Sequence, residues 1–248
     1  LAGRASEGVS RDGILGRRLI LAQPLAGPRA SDDAVLLAAA VPAKAGETAI
    51  DLGCGPGAAM LCLAWRVAGL AVTGLEIDAA LAGLAAENIA ANGFSGRAAV
   101  VIGDVAAPPR DLGSADHVLL NPPFFQPGRH DAAPDPVRAR ARREAGDIGL
   151  DRWLATARAI LRPGGSITVI HRAERTAEIV GLLPGAVAVL PLAARPGTAP
   201  KRVIVQARPD SSDPRIELEP FALHRAEDGR YCEVAEAILR HGGPLALR

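Results

Sequence analysis

Short, continuous apolar runs alternate with longer stretches of helical periodicity along most of this chain. TAIDLG (48–53), LAVTGLEID (70–78), AAVVIGD (98–104), ADHVLLN (115–121) and SITVIHR (166–172) read as five strands, each bounded by glycine, proline or polar residues. Between them, GAAMLCLAWRVA (57–68), residues 79–92 ahead of Gly93, and LDRWLATARAILR (150–162) ahead of Pro163-Gly164-Gly165 read as helices. AVAVLPL (186–192) and RVIVQAR (202–208) form a last pair of strands joined by a loop. This alternation specifies an α/β fold: a doubly wound parallel sheet with helices on both faces.

The flanks are less regular. Residues 1–12 are polar and glycine-rich and are expected to be poorly ordered. GILGRRLILAQP (13–24) predicts a short hairpin or an edge strand. SDDAVLLAAAV (31–41) predicts an apolar helix with Ser31 or Asp32 as its N-cap. PDSSDPR (209–215) reads as a linker and VAEAILR (234–240) as a short helix. The chain is therefore expected to consist of a lead-in (1–46), a main domain (47–209) and a tail (210–248) belonging to the same unit.

Composition narrows the chemistry. With 49% hydrophobic but only 3% aromatic residues in 248, the core must be built from Ala, Val, Leu and Ile, so the few aromatic rings stand out. A net charge of +1 means that any polyanion must be held by a local basic patch. Cys54, Cys62 and Cys232 make neither a disulfide framework nor a zinc spacing, which suggests a reducing compartment and no metal. The apolar run at 34–41 is too short to span a bilayer and no signal-peptide pattern precedes it, so the expectation is a cytoplasmic protein with no membrane partner.

In an open parallel sheet, ligands bind beyond the carboxyl ends of the strands. Four polar clusters fall there. DLGCGPG supplies Gly53, Gly55 and Gly57, which permit a tight turn and close approach of a ligand. The spacing is not the G-x-G-x-x-G of dinucleotide binders, and Asp51 ahead of the turn is unwelcome beside a pyrophosphate. That acid suits a cationic ligand such as the amino group and sulfonium of S-adenosylmethionine. Glu76, with Ile77 beside it, can accept both hydroxyls of a ribose; Asp104 can accept from an adenine amino group, with Val105 offering a backbone contact.

The fourth cluster is HVLLNPPFF (117–125), where a buried strand stops at Asn121-Pro122-Pro123-Phe124. Together these motifs resemble the class I S-adenosylmethionine-dependent methyltransferases across roughly residues 47–209. The resemblance implies a seven-stranded Rossmann-like sheet of order 3-2-1-4-5-7-6 with the last strand antiparallel. It also implies methylation of a nitrogen conjugated to a planar group: adenine N6, cytosine N4 or a glutamine amide. Asn121 and the Pro122 carbonyl would hold the two hydrogens of that nitrogen, Pro123 would stiffen the turn, and Phe124 would stack on the planar group.

The wider chain narrows the resemblance. LGRRLILAQPLAGPRASDDAVLLAAAV (15–41), NPPFF, HRAER (171–175) and LHRAEDGRYCEVAEAILR (223–240) are similar to the bacterial tRNA (adenine-N6) methyltransferases acting on valine tRNA beside its anticodon. Two positions depart from that family's pattern: Phe124 stands where Tyr is usual, and Pro28 precedes Arg29 where an aromatic residue is common. Arg29, Ser31 and Asp32 align with a segment that caps the cofactor pocket in such enzymes; as plain residues they are ordinary helix capping.

A tRNA partner requires cations. Residues 128–144 carry Arg129, Arg138, Arg140, Arg142 and Arg143, and the loop 194–202 carries Arg195, Lys201 and Arg202. Strand 6 runs parallel to the first five, so its following loop emerges on the site edge, where those cations can meet phosphates. Two alternatives stay open at this point: a protein glutamine methyltransferase, which shares the Asn-Pro-Pro turn, and a non-catalytic RNA-binding protein on the same fold.

Overall fold

The computed structural model describes residues 8–26, 29–123 and 148–247. A hairpin opens the described chain: β1 (Val9–Ile14) and β2 (Leu19–Pro24) pair antiparallel in a sheet of their own. Residues 9–12, expected to be poorly ordered, instead belong to the first strand of this hairpin. Ser10, Gln23 and Arg29 all donate to Asp12 Oδ2, at 2.6, 3.1 and 2.7 Å, and so supply the order their polar composition concealed. α1 (Asp32–Ala40) follows, with Ser31 at its N-cap; its residues from Ala34 to Ala40 are all buried, as befits a helix that is apolar all round.

The main sheet is built from β3 (Thr48–Leu52), β4 (Ala71–Glu76), β5 (Ala98–Ile102), β6 (Ala115–Leu120), β7 (Leu161–Arg172), β8 (Ala186–Ala193) and β9 (Arg202–Arg208). Their spatial order is β5-β4-β3-β6-β7-β9-β8, and only β9 runs antiparallel to its neighbours within this set. Numbered from the first sheet strand, this is the 3-2-1-4-5-7-6 order with a reversed last strand. Helices α2 (Ala58–Arg66), α3 (Ala79–Ala91), α4 (Leu150–Ala159), α5 (Thr176–Leu182) and α6 (Glu233–His241) cover its faces. Alternating side chains separate two cores: Ile50, Leu52, Val118 and Leu120 join Trp153 of α4, while Ala49 and Leu119 join α1 and α2 on the opposite face.

Three features differ from the expectation. α4 ends at Ala159 rather than 162, and Pro163-Gly164-Gly165 lie within β7, where the register to β6 shifts between Ala115 and His117. Gly165 is required there because a Cβ would sit 2.4 Å from the Asp116 carbonyl oxygen. Two short strands, β10 (Ile216–Glu217) and β11 (Phe221–Ala222), pair in parallel with β8 and extend the sheet with residues read as tail. No described helix is long and apolar enough to cross a membrane.

Candidate active site

Register brings the polar clusters level. Leu52 pairs with Leu75 on one side and Leu120 on the other, and Glu76 pairs with Ile102. The next residues of β6, β3 and β5 therefore emerge beside Glu76, so Asn121, the Gly53 turn, Glu76 and the Gly103-Asp104 segment form one row across the sheet edge. Neighbouring strands lie about 4.8 Å apart, so the row is roughly 15 Å long, which suits an elongated ligand joining an amino acid to a nucleoside.

The glycine turn is sewn to the end of β4. Gly53 and Cys54 both donate to the Leu75 carbonyl, at 2.8 and 3.1 Å, and Gly57 donates back to Cys54 at 2.9 Å. Gly53 has φ +68°, and a Cβ on it would lie 2.6 Å from the Trp153 ring, so the indole seated beneath the turn demands glycine. Around a Cβ placed on Gly55 there is open space to 4 Å. Gly57 is buried and serves as the N-cap of α2.

Two carboxylates support this turn. Asp51 is 3% exposed and accepts from the Met60 amide at 3.1 Å, so it stands beneath the turn and holds the first turn of α2. Burial, reinforced by the charge of Glu76, pushes its carboxyl up to about 8, against the pull of the Met60 hydrogen bond. Glu76 accepts from Gly55 N at 2.8 Å through one oxygen and from Asp78 N at 2.9 Å through the other. A carboxylate offers about four acceptor sites, so each oxygen keeps capacity for a hydroxyl. Burial raises the Glu76 pKa as well. Ile77 beside it is half-buried.

Asp104 accepts from Ala106 N at 2.7 Å through Oδ1, and Val105 is buried behind it with its carbonyl held by Thr156 Oγ1 at 2.8 Å. Asn121 is half-buried, Pro122 buried and Pro123 exposed. Phe124, Arg129, Arg138, Arg140, Arg142 and Arg143 lie outside the described residues. On the β8–β9 loop, Arg195 and Lys201 are exposed. Arg202 is half-buried, and its Nε donates to Asp33 Oδ2 at 2.9 Å, an ion pair that ties β9 to α1.

Three supports escaped the sequence. Asn88, Trp153 and Thr156 touch the site segments from α3 and α4. For Asn88 a signal existed: it falls in the buried stripe of α3 with Ala82, Ala85 and Ile89, where a lone amide must find backbone partners. In the lead-in, Arg29 reaches Asp12 and the Pro24 carbonyl, Ser31 makes no side-chain cap bond, and Asp32 accepts from the Tyr231 hydroxyl at 2.7 Å.

The open glycine turn, the acceptor capacity left on Glu76 and the length of the row fit an adenosyl amino acid. Comparison with known proteins agrees. The Methyltransferase small domain family matches residues 30–186. A Porphyromonas gingivalis protein named tRNA1(Val) (adenine(37)-N6)-methyltransferase is 32% identical over 78% of each chain. One of the same name from Bacteroides fragilis is 30% identical over 79% of this chain and 84% of its own. Among solved structures, a predicted O-methyltransferase from Agrobacterium tumefaciens superposes with a TM-score of 0.71 at 25% identity, covering 86% of this chain and 98% of that one. With its reversed last strand and its level row of strand ends, the chain belongs to the methyltransferase small-domain family, class I enzymes whose methyl donor is S-adenosylmethionine.

Proposed function

We propose that this methyltransferase acts on the exocyclic N6 amino group of an adenine in tRNA, in the anticodon-loop region of a valine tRNA. The observation that carries the reading is the position of Asn121: it follows Leu120, the register partner of Leu52, and so neighbours the glycine turn. The names of the relatives support the adenine and the tRNA.

In this reading Gly53, Gly55 and Gly57 admit the cofactor's amino-acid end above Asp51. Glu76 accepts from the ribose hydroxyls with Ile77 against the sugar, and Asp104 and Val105 receive the adenine. S-adenosylmethionine supplies an electrophilic methyl carbon. The amino group of adenine is a poor nucleophile because its lone pair is delocalised into the ring. The Asn121 side-chain oxygen and the Pro122 carbonyl accept its two N–H bonds and turn the lone pair toward the methyl carbon. A new N–C bond forms as the S–C bond breaks, and one proton then leaves the nitrogen. Alignment can carry much of the rate, since well-oriented reactants reach effective molarities of roughly 10⁵–10⁸ M. Stacking on Phe124 contributes about 1–3 kcal/mol. Everting the adenine from a stacked loop costs a few kcal/mol.

The test uses labelled S-adenosylmethionine with tRNA and protein fractions from cells lacking the enzyme, followed by digestion. Label in N6-methyladenosine from valine tRNA is the expected result. Label in methylated glutamine would replace the substrate, and no label in either fraction would remove both.

A further inference from the structure

β11 runs parallel to β8, with Phe221 opposite Leu192 and Ala222 opposite Ala193. The ladder continues past both strands, because Leu223 donates to the Ala193 carbonyl and His224 to the Ala194 carbonyl, each at 3.0 Å. The chain thereby reaches the sheet edge that carries Asn121, and it turns there. Arg225 N donates to the Arg230 carbonyl at 2.8 Å and Cys232 N to the Leu223 carbonyl at 2.9 Å, closing a loop over 225–230. The base of this loop is fixed by the stacked rings of His224 and Tyr231, 4.7 Å apart, and by the bond from Tyr231 to Asp32.

The tail loop lies against the β8–β9 loop: Arg195 Nη2 is 3.2 Å from where a Cβ on Gly229 would sit. Arg195, Lys201, Arg225 and Arg230 are all exposed. Among the described residues, Arg230 has only a long contact to Asp228, at 3.7 Å, and no ion pair engages the other three. The neighbouring strand ends differ. Arg172, Arg175 and Arg202 pair with Glu174, Glu178 and Asp33. Among the described residues of this edge, four cations without a close ion pair therefore gather where the two loops meet, and they outnumber the local acids Glu227 and Asp228.

We infer that the tail loop 225–230 and the β8–β9 loop form a phosphate-binding platform for the RNA backbone, with Arg225 and Arg230 as contacts. This rests on the RNA reading above. β8 lies three strands from β6, about 15 Å away, so the platform meets phosphates flanking the target nucleotide rather than the target itself. Exposed cations gain by releasing counterions from the nucleic acid, a term that scales with the number of phosphates met. A loop fixed at its base loses little further freedom on binding.

Anisotropy of an unmodified, labelled valine tRNA transcript, titrated across a salt series, tests the platform. The Arg225→Gln/Arg230→Gln variant is expected to bind more weakly, with a log–log salt slope shallower by about 1.4–1.8, two contacts at ~0.7–0.9 each. Arg225→Lys/Arg230→Lys keeps the charges and should retain the wild-type slope. Arg158→Gln, at the far end of α4 on the opposite edge, should retain it as well. A wild-type slope in the double Gln variant, or a slope lost equally in the double Lys variant, overturns the platform. Absence of tRNA binding by the wild-type protein overturns the RNA reading itself, so the two failures are distinct.

Discussion

The side-chain amide of Asn88 donates to the Pro56 carbonyl at 2.8 Å, while its oxygen accepts from the Ala22 amide at 2.7 Å. A second donation, to the Ala22 carbonyl at 3.0 Å, completes a fully buried bridge from α3 to both the hairpin and the glycine turn. Four residues on, Asn92 grips Ile20 through both of its backbone groups but does not touch the turn.

Replacing Asn88 by Ala leaves two carbonyls and one amide without partners. Each unsatisfied buried group costs about 1–3 kcal/mol, though not additively, so a loss of about 2–4 kcal/mol in denaturant melts is expected. Affinity for S-adenosylmethionine should fall more in Asn88→Ala than in Asn92→Ala. Equal losses would argue against any link between the hairpin and the turn.

Gly53 and Trp153 form a second coupled pair. Gly53→Ala places a Cβ within 2.6 Å of the ring and on a left-handed backbone, φ +68°. The backbone term alone is roughly 1–2 kcal/mol. Stability and cofactor affinity should both drop, with altered indole fluorescence. Adding Trp153→Leu should return part of the loss; strict additivity in the double-mutant cycle would deny the contact.

The pH dependence of stability should carry the mark of Asp51. Its carboxyl ordinarily titrates near 3.8, and burial holds it at about 8 in the folded protein. Between those values the unfolded chain releases a proton that the folded one keeps. This group's contribution is therefore full below pH 3.8 and lost as pH rises to about 8. Asp51→Asn keeps an oxygen for Met60 and cannot titrate. The stability difference between the variant and the wild type should grow across that window and level off above it, measured by chemical denaturation at stepped pH.

Asn121 separates binding from chemistry. Asn121→Ala should lower methyl transfer at least about 10²-fold, the scale associated with misaligned reactants, while cofactor affinity by calorimetry stays within a few-fold. Asn121→Asp preserves an acceptor oxygen and should retain measurable transfer. Full activity in the Ala variant would refute the assigned role of Asn121.

The strand–helix alternation was legible because each sheet strand is a continuous apolar run, and the row at the sheet edge followed from the rule for parallel sheets. Asn121, Glu76 and the glycines sit at strand ends, where the chain leaves the core and polar groups or bare backbone can face a ligand. β10 and β11 were not legible: two residues each, they gain strand geometry only from β8. The ion pair of Arg202 was hidden for a similar reason, since Asp33 lies 169 positions away in the chain. Pro163-Gly164-Gly165 misled because a helix stop and a strand bulge use the same residues.

The shelter of α1 is assembled late. Its apolar surface is covered in part by β7, β9 and α6, and its two leading acids are held by Arg202 and Tyr231, 169 and 199 positions further along. α2 follows α1 closely and packs against it, but β7, β9 and α6 are synthesised more than 100 residues later. Contacts of such sequence separation form slowly, and an exposed apolar segment invites aggregation meanwhile. Nascent chains of this protein must therefore carry α1 with only part of its cover, chiefly α2, until β7, β9 and α6 arrive.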